Sequence, residues 1–313
     1  MPPPGTIVLI AGPTAAGKSA VALRLAERRN GEIISVDSMQ VYRGLDIGTA
    51  KPDPLERARI PHHLVDVASL RETFDAARFA AAADSAVREI AGRGRLPIFC
   101  GGTGLYFRAW LEGLGEAPPA DPALRAQLEA APMVELLREL AGSDPVAYER
   151  IDRQNPRRVV RAVEVIRLTG RPYSALRADW KSAGGAQRPG LLQFGLHRAP
   201  QDLRQRINSR VDEMFARGLV EECRQLLPAG LESNRVAGQA LGYRQVLDHL
   251  RGERSLAETI ELVKIRTWQF ARRQMNWWRR QARLEWISWP AELTAEAVAA
   301  QISAQIEARR GAE

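Results

Sequence analysis

Cysteine and histidine are scarce in this chain. Its 313 residues include two cysteines, Cys100 and Cys223, which lie far apart in sequence, so we expect reduced core thiols rather than a disulfide. The four histidines include one adjacent pair, His62 and His63, without metal-ligand spacing to those cysteines, which disfavours a structural zinc site. Long apolar runs are also lacking, since none reaches the roughly eighteen residues that a membrane-spanning helix needs. The first residues, MPPPG, contain no apolar signal segment, and we expect a cytoplasmic protein.

Lysine is scarce as well, although the chain is basic. Only four of its 45 basic residues are lysines, which leaves 41 arginines, and the net charge is +8. This balance favours polyanionic partners, nucleic acid among them, but charge alone does not identify one. The apolar fraction of 45% and the charged fraction of 26% are ordinary for a globular protein with a substantial core.

The most specific motif is GPTAAGKS at residues 12–19, which follows the apolar run 6–11. It matches the P-loop pattern, in which a buried strand, a glycine turn and a helix N-terminus bring backbone N–H groups onto a phosphate. The Lys18 ammonium can reach a terminal phosphate, and the Ser19 hydroxyl is placed to ligate Mg²⁺. We therefore expect a bound di- or triphosphate. The expected phosphate-binding residues are Gly12, Pro13, Thr14, Ala15, Ala16, Gly17, Lys18 and Ser19.

Short apolar runs alternate with helix-period stretches through the first hundred residues. This order predicts an α/β fold with a parallel sheet of the P-loop NTPase type, flanked by helices. The predicted strands are 6–11, 32–36, 96–100, 191–197 and 284–288. The predicted helices of this core are 18–29, 75–92, 200–216, 218–227, 236–250 and 255–281, followed by a tail helix.

A Pro/Gly-rich break, GEAPPADP at residues 115–122, precedes a stretch of leucines at helical spacing over 122–170. The simplest account is a helical insertion domain at residues 118–188. The α/β core would then consist of residues 1–117 and 189–313.

Asp37 directly follows the second predicted strand, in the order Asp37-Ser38-Met39-Gln40. An apolar strand that ends in aspartate is typical of a Walker-B acid, which holds Mg²⁺ through water. A general base facing the same cleft fits these residues equally well. Ser38 and Gln40 add a hydroxyl and an amide that can contact a base edge.

Several other clusters leave structural and functional interpretations open. Thr103, in the sequence GGTG at residues 101–104, suits both a helix cap and contact with a reacting group. Four polar residues recur every three positions, which predicts one shared helix face: Asn155, Arg158, Arg161 and Glu164. That face is either a solvated ion pair or an anion-binding surface. The arginines and tryptophans of residues 266–280 form either a packed helix with snorkelling arginines or a polyanion groove.

In their order, these motifs resemble those of the tRNA dimethylallyltransferase family in its bacterial form. The segments that carry the resemblance are GPTAAGKS (12–19), VDSMQVYRGLDIGTAKP (36–52), PHHLVD (61–66), GGTGLYF (101–107), NPRRVVRAVEV (155–165), ALGYRQ (240–245) and the Arg/Gln-rich helix near 266–280. Two positions depart from the family pattern. Ala16 stands where the family often has serine, and Gln239 stands where some relatives carry arginine.

The resemblance implies transfer of a dimethylallyl group from dimethylallyl diphosphate to N6 of the adenosine 3′ of the anticodon. Diphosphate would be released, with Mg²⁺ as the cofactor. The resemblance also implies Asp37 as the general base, Thr103 beside the reacting atoms, and Lys18 as a stabiliser of the leaving diphosphate. These roles fit the chemistry, because N6 is a poor nucleophile that must lose a proton as the C–N bond forms. The adenosine must also leave its stack to react.

The implied macromolecular partner is the anticodon stem-loop of tRNA, held through its shape and phosphates. The residues that the resemblance assigns to tRNA binding are Asp37, Ser38, Met39, Gln40, Arg125, Arg157, Arg158, Val159, Val160, Arg161, Gln239, Ala240, Leu241, Gly242, Tyr243 and Arg244. We expect a monomer without membrane association.

Three alternative functions remain from the residues alone. The first is a P-loop small-molecule kinase or NTPase with Asp37 as an Mg²⁺ ligand, which has no need of the DSMQ and GGTGLY segments. The second is an RNA-binding adaptor, against which the intact Lys18-Ser19 pair argues. The third is an enzyme that prenylates free adenine nucleotides, which has no need of a basic insertion.

Overall fold

A six-stranded, all-parallel sheet forms the centre of the computed structural model, which describes residues 5–178 and 188–310. Its strands are β1 (Ile7–Ala11), β2 (Gly31–Val36), β3 (His62–His63), β4 (Leu96–Gly101), β5 (Leu191–His197) and β6 (Glu285–Ser288). They lie in the order β3-β2-β4-β1-β5-β6. Strands β1, β2 and β4 are buried throughout, as expected for apolar runs covered on both faces. The predicted α/β fold with a parallel sheet is confirmed.

Helices flank this sheet and build most of the remaining chain. Within the described residues they are α1 (Lys18–Arg29), α2 (Pro54–Arg59), α3 (Ala76–Gly92), α4 (Gly104–Glu112), α5 (Pro122–Ala130), α6 (Met133–Ser143), α7 (Pro145–Arg150), α8 (Pro156–Thr169), α9 (Tyr173–Leu176), α10 (Pro200–Ala216), α11 (Leu219–Leu226), α12 (Tyr243–Leu250), α13 (Leu256–Gln281) and α14 (Ala295–Arg310). None of these helices combines the length and the apolar character that spanning a membrane would require.

The predicted helix at 236–250 is wrong as a single element. A short 3-10 turn, Ala237–Gln239, precedes α12, and Gly242 between them has a φ of +91°. An α-helix cannot continue through that backbone conformation. Strand β3 and helix α2 are too short to produce a periodic signal in sequence, and neither was predicted.

The core lies on both faces of the sheet because successive strand residues point in opposite directions. In β1, Val8 and Ile10 belong to an apolar cluster with residues of α1 and α14. Leu9 and Ala11 belong to a second cluster, which contains residues of α3, α4 and α12. This double cover fixes the end of β1, from which the P-loop departs.

The described residues divide into two compact units, one within 1–111 and 187–313 and the other within 112–186. The second unit is helical, and α5, α6 and α8 supply most of its apolar core: Leu128, Leu136, Leu140, Val159, Val160, Ala162 and Val163. The insertion predicted at 118–188 includes residues 179–187, which lie outside the described part, so its bounds stay a prediction.

Candidate active site

The P-loop connects β1 to α1 through a tight turn. Gly12, Ala15 and Gly17 have positive φ values of +143°, +62° and +94°. A Cβ on Gly17 would lie 2.6 Å from the Trp289 ring, so this glycine is required by space as well as by φ. Helix α1 then begins at Lys18 without a side-chain cap. Its first N–H groups are therefore available to an anion.

Two arginines bind backbone carbonyls of the P-loop. Arg198 donates from Nε to the Ala16 carbonyl, and Arg206 donates from Nε to the Ala15 carbonyl, both at 3.0 Å. The Arg198 guanidinium also stacks on the Trp289 ring, 3.9 Å from its centroid. Neither arginine was identified from sequence, although both lie in or beside α10 at the carboxyl end of β5.

A glutamine joins the P-loop to the loop that follows β4. Gln274 Oε1 accepts a hydrogen bond from Thr14 N–H at 2.8 Å, and Gln274 Nε2 donates to the Gly102 carbonyl at 3.0 Å. The residue after Gly102 is Thr103, so one side chain on α13 sets the spacing between the phosphate turn and the predicted catalytic threonine. Gln274 was not singled out from sequence, because only the fold brings positions 14, 102 and 274 together.

Lys18 lies in a polar but poorly solvated position. Its Nζ donates to the Pro13 carbonyl at 2.7 Å. Burial lowers the pKa of Lys18 to about 8, while the negative charge of Asp37 works in the opposite direction. Lys18 and Asp37 line the same cavity.

One cavity of about 1070 Å³ is lined by two of the predicted catalytic residues, Lys18 and Asp37, whereas Thr103 is not among its lining residues. The P-loop follows β1, Asp37 follows β2 and Gly102 follows β4, so the cavity opens at the carboxyl ends of parallel strands. The predicted site residues that line it are Thr14, Ala15, Gly17, Lys18, Ser19, Asp37 and Gln40. The basic residues that line it are Lys18, Lys51, Arg198, Arg206, Arg210 and Arg217. The acidic residues that line it are Asp37, Asp53, Glu56, Asp202 and Glu213, so the cavity carries both signs of charge. The basic groups that adjoin the P-loop, Lys18, Arg198 and Arg206, suit a phosphate.

The Asp37 carboxylate is oriented by the backbone that follows it. Its Oδ1 accepts hydrogen bonds from the N–H groups of Met39 at 2.8 Å and Gln40 at 3.3 Å. Nothing in the described chain bonds to Oδ2. Thr103 lies beside this turn, since its Oγ1 accepts from Ser38 N–H at 3.2 Å. The Thr103 hydroxyl is thus engaged with the aspartate loop rather than with the first turn of α4.

The Gln40 amide is fixed by three partners. Its Oε1 accepts from the Ser35 hydroxyl at 2.8 Å, and its Nε2 donates to the carbonyls of Thr49 at 3.2 Å and Ala50 at 3.3 Å. Gln40 lines the cavity from this fixed position.

Metal-binding groups are limited to single oxygens in this cavity. No cluster of three or more His, Cys, Asp or Glu side chains that could hold a metal occurs among the described residues. Ser19 and Asp37 offer a hydroxyl and a carboxylate. Mg²⁺ commonly takes one or two protein oxygens and completes its shell with phosphate oxygens and water. These two side chains fit Mg²⁺ bound together with a diphosphate.

The residues assigned to tRNA differ widely in exposure. Those with exposed side chains are Arg157, Arg158, Gln239 and Arg244. Those that are partly exposed are Asp37, Ser38, Met39, Gln40, Arg125, Arg161 and Leu241. Those that are buried are Val159, Val160, Ala240, Gly242 and Tyr243. The buried side chains belong to the core, so in this conformation they do not reach a surface on which RNA could lie.

Glu164 is fully buried in α8 and binds both arginines predicted nearby. It accepts from Arg125 at 2.5 Å, from Arg161 at 2.6 Å and from Asp121 N–H at 3.0 Å. The prediction that Glu164 shares a face with Arg158 is wrong, since Arg158 is exposed. Three residues turn an α-helix by about 300°, which is about 60° short of a full turn. Over the three steps from Asn155 to Glu164 the side-chain direction therefore changes by about 180°, so the two ends of the series point to opposite faces. The ion-pair interpretation is correct for Arg161, but the Glu164 carboxylate of the pair is buried and the arginine is only partly exposed.

The remaining clusters have structural partners. His63 Nε2 lies 2.6 Å from Glu32 Oε2, and His62 Nδ1 lies 2.7 Å from the Ile60 carbonyl, so the histidine pair packs at the sheet edge. In α13, Trp278 is fully buried. The arginines of that helix with exposed side chains include Arg272, Arg273, Arg279 and Arg280.

Comparison with known proteins agrees with this geometry. The IPP transferase family profile matches residues 40–281. A tRNA dimethylallyltransferase of Geobacter metallireducens is 46% identical over 290 residues, which cover 91% of this chain and 93% of that protein. The crystal structure of full-length tRNA isopentenylpyrophosphate transferase from Bacillus halodurans superposes with a TM-score of 0.70, at 37% identity over 98% of each chain. A eukaryotic dimethylallyltransferase, captured in crystals acting on tRNA, superposes with a TM-score of 0.76, at 27% identity over 95% of this chain and 77% of that one. The chain therefore belongs to the IPP transferase family, that of the tRNA dimethylallyltransferases.

Proposed function

We propose that this tRNA dimethylallyltransferase transfers the dimethylallyl group of dimethylallyl diphosphate to N6 of the adenosine 3′ of the anticodon, with release of diphosphate. The observation that carries the proposal is the shared cavity, in which the P-loop and Asp37 face one space. A diphosphate in the glycine turn places its allylic carbon within the same cavity as the carboxylate. A nucleophile entering beside Asp37 can then attack that carbon.

Asp37 acts as the general base in this proposal. The two N–H donors on Oδ1 fix the plane of the carboxylate, and Oδ2 is left to accept the N6 proton. Thr103 holds the same turn through Ser38 N–H, so it keeps Asp37 aimed into the cavity. The bond that forms is C–N, and the bond that breaks is the allylic C–O bond to diphosphate.

Lys18 and the P-loop amides stabilise the negative charge that develops on the leaving diphosphate. Lys18 is held by the Pro13 carbonyl, and a phosphate oxygen replaces that partner when substrate binds. Ser19 would hold Mg²⁺, which would supply additional charge neutralisation at the diphosphate. The surrounding arginines favour entry of an anionic donor.

We further propose that residues 118–188 form the helical insertion domain and contact the anticodon stem-loop. The exposed arginines Arg157 and Arg158 suit phosphate contacts. Arg244 and Gln239 are exposed on the core unit and suit the same role.

One assay tests the proposed reaction. Protein, Mg²⁺ and labelled dimethylallyl diphosphate are incubated with unmodified tRNA or with AMP, and ATP hydrolysis is followed in parallel. Label in the nucleoside 3′ of the anticodon, and none in AMP, supports the proposal. Label in AMP indicates prenylation of free nucleotides, and phosphoryl transfer from ATP indicates a kinase.

The role of Asp37 is tested by Asp37→Ala. We expect loss of turnover, because N6 has no proton acceptor, while the dissociation constants of both substrates change little. Equilibrium binding of tRNA and of dimethylallyl diphosphate is measured beside single-turnover transfer. Loss of diphosphate affinity with normal turnover at saturation would instead make Asp37 a metal ligand.

A further inference from the structure

We propose that Glu222 is a positioning residue for the part of the site that receives the adenosine, which contains Asp37 and Gln40 and is called the acceptor side below. Glu222 acts on it through the loop of residues 46–50 and through Gln40. The inference rests on the proposed function, since it concerns where Gln40 and Asp37 are held. Glu222 lies in the first turn of α11 and outside the cavity lining. Its effect must therefore be transmitted through other residues.

The Glu222 carboxylate collects four hydrogen bonds. Oε2 accepts from the N–H groups of Asp46 at 3.2 Å and Ile47 at 2.7 Å. Oε1 accepts from Gly48 N–H at 3.3 Å and from the Tyr243 hydroxyl at 2.6 Å. Three consecutive backbone amides on one carboxylate hold the loop as a rigid unit, because charge-assisted bonds are the stronger kind.

The Tyr243 ring limits the same loop from its other side. A Cβ on Gly48 would lie 2.5 Å from that ring, so the backbone and the ring are in direct contact. Tyr243 is fully buried, and burial together with the neighbouring Glu222 carboxylate raises the pKa of its phenol. Tyr243 therefore remains a neutral donor to Glu222. The resemblance assigns the segment around Tyr243 to tRNA binding, but the hydroxyl of this buried tyrosine bonds to Glu222.

The far end of the loop reaches the site. The Thr49 and Ala50 carbonyls accept the Gln40 amide, and Gln40 N–H in turn donates to Asp37 Oδ1. Displacement of the loop therefore removes two partners of the Gln40 side chain. The P-loop has other supports, from Arg198, Arg206 and Gln274. Loss of Glu222 should thus impair the acceptor side and leave binding of dimethylallyl diphosphate at the P-loop unchanged.

The test uses Glu222→Gln and Tyr243→Phe, with Glu221→Gln as the matched control. Glu221 is the adjacent exposed residue and pairs with Arg224 on the surface. For Glu222→Gln we expect kcat/KM for tRNA to fall on the order of tenfold to a hundredfold, since an amide NH₂ then opposes backbone donors. Tyr243→Phe keeps the ring and loses one bond, so its decrease is smaller. The KM for dimethylallyl diphosphate should stay within about twofold in both variants.

A double-mutant cycle separates this role from a general loss of structure. In a Gln40→Ala background, Glu222→Gln should lower kcat/KM for tRNA much less than it does in the wild type. The reason is that the Gln40 side chain, through which Glu222 acts, is already absent. The same decrease in kcat/KM for tRNA in both backgrounds would overturn the inference. A rise in KM for dimethylallyl diphosphate as large as the decrease in kcat/KM for tRNA would overturn it as well. So would wild-type kinetics in Glu222→Gln.

Hydrogen exchange at the amides of residues 46–48 provides a readout that does not require transfer to tRNA. We expect these amides to lose protection in Glu222→Gln and to keep it in Glu221→Gln. Unchanged protection in Glu222→Gln would refute the positioning role even where the enzyme is active. If Glu222→Gln loses this protection relative to the wild type but the wild type does not modify tRNA, only the proposed reaction is rejected.

Discussion

Replacing Gln274 with Met tests whether one side chain holds the two loops of the site together. Met has a similar length but neither the acceptor used by Thr14 N–H nor the donor used by the Gly102 carbonyl. Each such hydrogen bond contributes about 0.5–1.5 kcal/mol net, so the pair contributes about 1–3 kcal/mol. Because about 1.4 kcal/mol corresponds to a factor of ten, kcat/KM for dimethylallyl diphosphate should fall about 5- to 150-fold.

The environment of Gln274 narrows this range. Gln274 is 9% exposed, but Thr14 and Gly102 are partly exposed and border the cavity. Water can therefore satisfy the freed N–H and carbonyl groups, which removes most of the desolvation penalty. We expect the lower half of the range, roughly a 5- to 30-fold decrease.

The assay is steady-state transfer with labelled dimethylallyl diphosphate at saturating tRNA. Gln269→Met is the matched control, since Gln269 lies on the same helix and accepts a surface hydrogen bond from Arg266. Its kinetics should match the wild type, and thermal unfolding should show that both variants remain folded. Wild-type kcat/KM in Gln274→Met would mean that other contacts fix the distance between the two loops.

Two further perturbations follow from buried charges. The pKa of Lys18 is lowered by burial to about 8, so the free enzyme loses this cation as pH rises through that value. Affinity for dimethylallyl diphosphate, measured by calorimetry, should weaken about tenfold per pH unit above it, and a flat profile would exclude Lys18 as the phosphate contact. Glu164→Gln removes the buried partner of Arg125 and Arg161 and should lower the free energy of unfolding in urea by about 3 kcal/mol. By contrast, Arg158→Ala should leave stability unchanged and reduce the salt dependence of tRNA binding by about one phosphate contact, and an unchanged slope would contradict that contact.

The sequence predicted those parts of the molecule whose physical causes are local. The P-loop is a contiguous motif, and its strand, turn and helix occur at the predicted residues. Strands β2 and β4 are short apolar runs buried on both faces, which is the pattern that parallel sheets produce. Asp37, the GGTG segment and the P-loop each follow a predicted strand, and in a parallel sheet the carboxyl ends of the strands share one edge.

The supports of the site were not predicted because their partners are remote in sequence. Gln274 lies 260 positions from Thr14, and Glu222 lies 174 positions from Gly48. No periodicity or spacing relates such residues, and each looks like an ordinary polar position on an amphipathic helix. The prediction for Glu164 was wrong for a geometric reason. Repetition every three residues suggested one face, but the helix turns too little per residue to keep that register.

Separate supports on the two sides of the cavity imply separable functions. Gln274, Arg198 and Arg206 hold the turn that binds diphosphate, whereas Glu222 acts on the segment that carries Gln40. Both sides bond to the loop after β4, Gln274 at the Gly102 carbonyl and Ser38 N–H at the Thr103 hydroxyl. A substitution on one side should therefore alter the kinetics of one substrate, and a substitution at the meeting point should alter both. An enzyme that must keep a reactive allylic carbon from water until the adenosine arrives needs such a connection between its two binding surfaces.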